Sequence, residues 1–93
     1  MAQNTHQYQP SDELLEFLKE TVRYSLHLVK HRQPELMTVR SQNEQIYIDV
    51  WSKDGSYIMS SATPFGKLPY LETIATDPEK RKKHFEFLAS INP

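Results

Sequence analysis

The apolar residues of this chain change their spacing twice, and the spacing divides the chain into three regions. From Leu14 to Val29 they recur every three or four positions, as on one face of a helix. Between Leu36 and Ala62 they alternate with polar residues or cluster with aromatic and β-branched ones, which is typical of strands. After Pro64 the helical spacing returns. The pattern predicts a single α+β domain with the element order α-β-β-β-α-α.

The first predicted helix carries both a start signal and a stop signal. Ser11 can cap its N-terminus, and the two residues that follow are acidic, the charge that the helix dipole favours there. Pro34 disfavours helical geometry in the residue before it. The helix is therefore expected to end near His31 or Arg32.

The middle of the chain predicts a three-stranded antiparallel meander packed on the first helix. The strands are expected at Leu36–Arg40, Ile46–Ser52 and Ser56–Ala62. The sequence SQNE separates the first two as a short turn, and residues 53–55 separate the last two, with Gly55 suited to a positive φ. Such a sheet has one face toward the helix and one face that the C-terminal region either covers or leaves open.

Two registers of the second hairpin are possible from the sequence. A three-residue loop at Lys53–Gly55, with a bulge, would place Tyr57 beside Trp51 and Met59 beside Asp49. A two-residue Asp-Gly turn would instead place Ile58 beside Trp51 and Ser60 beside Asp49. The register decides which side chains of the third strand share a face with Trp51.

The central strand alternates between an aliphatic face and an aromatic face. Its even-numbered residues from 46 to 50 are Ile, Ile and Val, which suit a core against the first helix. Tyr47, Asp49 and Trp51 point the other way, and Tyr57 joins them in the three-residue register. Trp and Tyr are frequent hot spots of protein interfaces, and exposed rings also stack on single-stranded nucleic acid, although the Asp49 carboxylate disfavours a phosphate-rich ligand. A third interpretation of the aromatic face is that the C-terminal helices fold over it and bury it as a second small core.

The last third of the chain predicts two helices separated by a break. Pro69 suits the first turn of a short helix, and Asp77 followed by Pro78 suits the start of a second helix that runs to about Ser90. The second helix begins with a basic run, which the helix dipole opposes at that position. The run is either a solvated helix start or a contact for an acidic or phosphate-bearing partner. It consists of Lys80, Arg81, Lys82 and Lys83.

A pair of histidines on the first predicted helix resembles the beginning of a metal site. His27 and His31 lie four positions apart, which would place them on one helix face. A metal site needs at least a third ligand, which His84 would have to supply from the distant C-terminal helix. Arg23 and Lys30 beside the pair would repel a dication. We interpret the histidines as solvated side chains and expect neither a metal nor a cofactor.

The apolar arc of the first predicted helix is wider than one contact needs. It spans roughly 200°, whereas a helix that packs on a sheet needs somewhat over 100°. The second contact is either the C-terminal helices or a second copy of the chain in a two-fold dimer. A homodimer is the oligomeric state that we expect.

Composition narrows the class of protein. The 93 residues carry a net charge of −1 and are 38% hydrophobic, which is ordinary for one globular domain and gives no indication of nucleic-acid or membrane binding. Without cysteine the chain cannot form disulfides, bind zinc through thiolates or use a thiol nucleophile. No signal-peptide pattern or membrane-length apolar run occurs, so we expect a soluble cytoplasmic domain at residues 11–93, preceded by a mobile polar tail at residues 1–10.

No catalytic motif accompanies these features. The chain has two glycines and therefore no Gly-rich phosphate loop, and it lacks the motifs of serine hydrolases, zinc proteases and calcium loops. We predict a small non-enzymatic protein-binding domain, an adaptor, inhibitor or regulatory subunit, that uses Tyr47, Trp51, Tyr57 and the basic run at residues 80–83. The alternatives are a nucleic-acid-binding module that combines the basic run with the aromatic face, and a small enzyme with its site at a dimer interface.

Overall fold

The predicted α+β class and element order are confirmed. The structure, a computed structural model, describes residues 9–91, so residues 1–8 of the expected tail lie outside it. Within that range no helix is long and apolar enough to cross a membrane. The main elements are α1 (Asp12–Arg23), β1 (Pro34–Gln42), β2 (Gln45–Ser52), β3 (Tyr57–Pro64), α2 (Leu68–Ala75) and α3 (Pro78–Ile91). The strands form one antiparallel sheet in the order β1-β2-β3.

The predicted cap of α1 is confirmed and has an additional partner. The Ser11 hydroxyl oxygen accepts a hydrogen bond from the Leu14 amide at 3.1 Å. The same hydroxyl donates to Glu72 Oε1 at 2.6 Å, and the Ser11 amide donates to Glu72 Oε2 at 2.9 Å. The cap therefore joins the start of α1 to α2.

Replacing Ser11 with alanine is expected to lower the free energy of unfolding by about 1 kcal/mol, because the Leu14 amide loses its acceptor and Glu72 loses a donor. Chemical denaturation measures the loss. Ser90→Ala is the matched control, since Ser90 lies exposed in the last turn of α3 and its hydroxyl bonds only the Phe87 carbonyl among the bonds described. Equal losses in the two variants would show that the cap contributes nothing specific.

The end of α1 differs from the prediction. The helix ends at Arg23 and not near residues 31–32. The Val22 carbonyl accepts both the amide of Ser25, at 2.9 Å, and its hydroxyl, at 2.8 Å, and these bonds replace the one that would continue an α-helix. Two short 3-10 turns follow, and Gln33 takes a left-handed φ of 56°. The apolar spacing continues past Arg23 although the helix does not.

Both hairpins place their turn residues in the left-handed region. In the first, Asn43 and Glu44 have φ of 55° and 58°, which is a tight two-residue turn and extends the strands beyond their predicted ends. In the second, Gly55 has the expected positive φ, 90°, and the Ser52 amide donates to the Ser56 carbonyl at 2.8 Å across a three-residue loop.

The register of the second hairpin matches neither prediction as a whole. Tyr57 lies opposite Trp51, as the three-residue loop requires, but a bulge then shifts the pairing by one residue. Ser60, and not Met59, therefore lies opposite Asp49. The shift brings the Ser60 hydroxyl to the Asp49 carboxylate and turns the side chain of Met59 toward the core.

All helices lie on one side of the sheet. The core combines buried side chains of α1 with the aliphatic face of β2 and with Leu68 and Ala75 of α2. Phe85 of α3 packs on the far side of α1, with its ring 5.4 Å from the ring of Phe17 and 5.5 Å from that of Tyr24. The C-terminal helices thus supply the second contact of α1 and leave the aromatic face of the sheet uncovered.

His84 of α3 lies in this helix–helix contact. Its ring centroid is 4.7 Å from Phe17 and 5.1 Å from Phe85, and its Nε2 is 3.4 Å from the Thr21 hydroxyl. Burial among these groups lowers the pKa of His84.

The free energy of unfolding is expected to fall as the pH drops below about 6.5, the ordinary pKa of histidine. Because the folded pKa of His84 is lower, the unfolded chain binds the proton first, and stability is lost between the two values. Urea unfolding at pH 7.5 and pH 5 measures this loss, and His84→Gln should reduce it. An unchanged pH dependence in the variant would assign the effect to other groups.

Candidate functional site

The candidate site is the sheet face that points away from the helices, here called the open face. Cross-strand pairing arranges it in three rows, each with one residue from β1, β2 and β3 in that order. The apolar residue Leu36 and the ring of Tyr57 are 56% and 51% exposed, respectively, which shows that this side of the sheet is accessible. The rows are Leu36–Trp51–Tyr57, Thr38–Asp49–Ser60 and Arg40–Tyr47–Ala62.

A charged pair occupies the centre of the open face. Asp49 is only 5% exposed although none of the helices within residues 9–91 covers it, because the neighbouring side chains of the sheet surround it. Arg40 holds both carboxylate oxygens, with Nε 3.0 Å from Oδ2 and Nη2 3.1 Å from Oδ1. Ser60 donates a further hydrogen bond to Oδ1, and the Tyr57 hydroxyl donates to Ser60 at 2.8 Å. The result is a hydrogen-bonded chain across all three strands.

These bonds determine the charge state of the site. The hydrogen bonds from Arg40 hold the pKa of Asp49 below its usual range, with a further lowering from Ser60, although burial acts in the opposite direction. Asp49 is therefore ionised at neutral pH, and its charge is matched by the guanidinium of Arg40. The centre of the face is polar but carries no net charge.

Aromatic rings surround this charged centre in defined orientations. Trp51 and Tyr57 meet edge to face, with ring centroids 5.7 Å apart, and Trp51 Nε1 donates to the Thr38 hydroxyl at 2.8 Å. The guanidinium of Arg40 lies 4.1 Å from the centroid of the Tyr47 ring, in a cation–π contact. The rings are thus held in place by contacts within the sheet.

The structure brings together some of the predicted site residues and separates the others. Tyr47, Trp51 and Tyr57 share the open face, whereas the basic run of residues 80–83 lies on α3, in the helix layer. Arg81 in that run pairs with Glu20 of α1 at 3.4 Å, and the other three members are exposed. The aromatic face and the basic run are therefore two surfaces, not one.

The sequence did not identify Arg40 as a residue of the site and gave Ser60 only as one of two alternatives. Arg40 was predicted only as the end of a strand, and Ser60 was placed beside Asp49 only in the two-residue register of the second hairpin, yet both bond Asp49. Arg40 lies opposite Tyr47, so a correct register of the first hairpin would have placed it on this face. For Ser60 the two-residue register carried that signal, but the observed three-residue loop reaches the same pairing only through the bulge in β3.

The two histidines of the first predicted helix do not share a helical face. His27 and His31 lie on separate 3-10 turns after α1, and His27 Nδ1 is 3.0 Å from the Tyr24 carbonyl oxygen. Among residues 9–91 no group of three or more His, Cys, Asp or Glu side chains is placed to hold a metal ion.

Comparison with known proteins adds no relative. No protein-family model matches the chain, and no match was found among curated proteins or solved structures. Function is therefore inferred from the chemistry of the open face.

Proposed function

We propose that this chain is a non-enzymatic protein-binding domain, an adaptor, inhibitor or regulatory subunit, that docks a partner protein on the open face. The observation that carries the proposal is the uncovered arrangement of oriented aromatic rings around the Arg40–Asp49 pair. Trp, Tyr and Arg are the residue types most enriched at interface hot spots. Rings that are already held in place lose little conformational freedom on binding.

A partner would use the three rows of the face in different ways. Trp51, Tyr57 and Leu36 form an apolar row that suits the dry centre of an interface. The charge-matched pair at Arg40 and Asp49 needs no further counterion, so a partner can cover it with polar groups of its own. The exposed lysines of the basic run on α3 would add orientation and association rate through long-range attraction of an acidic partner.

The same chemistry favours protein over nucleic acid as the partner. Single-stranded nucleic acid is bound where stacking rings line a positively charged groove. Here the centre of the aromatic face holds a carboxylate, and the basic run lies in the other layer. The enzyme alternative has less support, because both oxygens of Asp49 already accept hydrogen bonds.

We further propose that the chain forms a homodimer and acts in the cytoplasm. Phe87 and Ile91 of α3 are large, exposed and four positions apart, so they lie on one side of that helix and could pair with a second copy while the open face stays free. The absence of cysteine suits a reducing compartment. Sedimentation equilibrium should give a dimer for the native chain and a monomer for Phe87→Ser with Ile91→Ser; a monomeric native chain would contradict the dimer.

The test of the binding function is affinity capture from the native host with the tagged chain, followed by mass spectrometry. We expect a foreign protein in stoichiometric amount, and a loss of about 2 kcal/mol, roughly 30-fold in Kd, for Trp51→Ala. Tyr70→Ala is the control, because Tyr70 is an exposed aromatic residue in the helix layer.

Two outcomes would contradict this proposal. Equal capture by native chain and Trp51→Ala would remove the open face from the interaction. Co-purification of material that absorbs at 260 nm, with binding that weakens steeply with salt, would instead support the nucleic-acid alternative.

A further inference from the structure

A second surface lies at the edge of the sheet, in a groove between α1 and the edge strand β1 that shares Leu36 with the open face. This α1–β1 groove encloses about 370 Å³. Its lining comes from the C-terminal half of α1, the connection that follows, the first half of β1 and one residue of β2. The lining residues are Lys19, Arg23, Leu26, Pro34, Glu35, Leu36, Met37 and Val50.

The groove has an apolar floor and a mainly cationic rim. Val50 is fully buried at its base, and Leu26 and Met37 are half-buried beside it. Lys19 makes only a long surface contact with Glu16, at 3.7 Å, and Arg23 has no ion pair among the described residues. Glu35 is the one acidic residue of the lining, so the groove carries an excess of positive charge.

The wall of the groove on the sheet side is an open strand edge. Within residues 9–91, β1 pairs with β2 alone, so the backbone amides and carbonyls along its other edge have no strand partner. β1 has nine residues, and its pairing with β2 is regular from Leu36 to Gln42. A long, regular edge is a template for an added strand, and natural sheets recruit extended peptides in this way.

We propose that the α1–β1 groove binds an extended, acidic segment of a partner protein, which adds to β1 as a fourth strand. Side chains of an added strand alternate between the two faces of the sheet. On the helix side, its apolar residues would lie on Leu26 and Met37, and its carboxylates would reach Lys19 and Arg23. Main-chain hydrogen bonds to β1 would provide affinity, and the rim would select for acidic segments.

The charges of the groove favour a foreign segment over a second copy of this chain. A two-fold dimer through β1 would bring the Lys19 and Arg23 side chains of both copies to one junction, with Glu35 as the sole acidic member of each lining. An acidic segment removes that repulsion. The inference does not rest on the open face as a binding site, because the groove shares only Leu36 with that face and its cationic residues, Lys19 and Arg23, belong to α1.

The test uses two synthetic peptides and the isotope-labelled full chain in NMR titrations. The acidic probe is Val-Thr-Glu-Thr-Val-Thr-Glu-Thr, which places Val and Glu on one face of an extended strand, and the control probe has Lys in place of each Glu. We expect the acidic probe to shift the amide signals of residues 34–39 and 19–26 and to bind about tenfold more tightly than the basic probe. The double variant Lys19→Glu with Arg23→Glu should reverse this preference.

Further controls separate this site from the open face and from simple charge attraction. Trp51→Ala should bind the acidic probe as the native chain does, even if it loses the partner captured from the host. An acidic probe with N-methylated amides at alternate positions should lose binding, because it cannot pair with β1. Absence of shifts with either probe at millimolar concentration, shifts outside the groove, unchanged binding of the methylated probe, or an unreversed preference in the folded double variant would each overturn the proposal.

Discussion

Replacing Phe17 with alanine is expected to lower the free energy of unfolding by about 3–5 kcal/mol, a large part of the total for a small domain. Phe17 is 1% exposed, and its ring joins the two halves of the helix layer, because it packs in the main core and also contacts His84 and Phe85. The variant would leave a cavity where α1 and α3 meet.

Phe87→Ala is the matched control, since Phe87 also lies on a helix but is 61% exposed. It should change the free energy of unfolding by no more than about 0.5 kcal/mol at concentrations where the chain is monomeric. Urea denaturation followed by circular dichroism measures both variants. Similar losses at the two positions would mean that α3 does not pack on α1 in the way described.

Replacing Arg40 with leucine is expected to lower the free energy of unfolding by the second largest amount, after Phe17→Ala. The buried Asp49 carboxylate would keep its bond from Ser60 but lose its ion pair with Arg40, and a buried polar group that loses its partner costs about 1–3 kcal/mol. Arg32→Leu is the control, because Arg32 is exposed and its guanidinium bonds only the Tyr57 carbonyl among the contacts described.

The pH dependence of the Arg40 variant tests the cause of its loss. In the native chain the lowered pKa of Asp49 contributes stability that is present above about pH 3.9, the ordinary value for Asp, and is lost as the pH falls through the lower folded pKa. Without Arg40, burial outweighs the remaining bond from Ser60 and raises the folded pKa of Asp49. The difference in the free energy of unfolding between the native chain and the variant should therefore be largest at neutral pH and shrink toward pH 3. A difference that stays constant with pH would contradict an electrostatic cause.

Removing both members of the pair separates stability from recognition. Arg40→Leu with Asp49→Val leaves no unpaired charge, and apolar replacements of buried pairs are often neutral or stabilising. We expect this double variant to be at least as stable as the single Arg40 variant and to fold like the native chain. If it nevertheless fails to capture the partner, the pair serves recognition on the open face rather than stability.

Local signals in the sequence were sufficient to predict the elements and their starts. Ser11, Gly55 and the Asp77–Pro78 pair act on neighbouring backbone groups, so their structural roles follow from chemistry within a few residues. The alternation of β2 likewise identified the aliphatic face that became the core. These features established the α+β class and placed Tyr47 and Trp51 on one face, whereas Tyr57 joined them in only one of the two predicted registers.

Tertiary structure alone decided where α1 ends, which register the second hairpin takes and what surrounds Asp49. The apolar spacing runs on past Arg23, but the Ser25 bonds to Val22 end the helix. The bulge in β3 turns Met59 into the core and Ser60 toward Asp49, and neither result depends on residues adjacent in sequence. Competition between packing of distant elements and local preference determines such features, so a pattern along the chain cannot specify them.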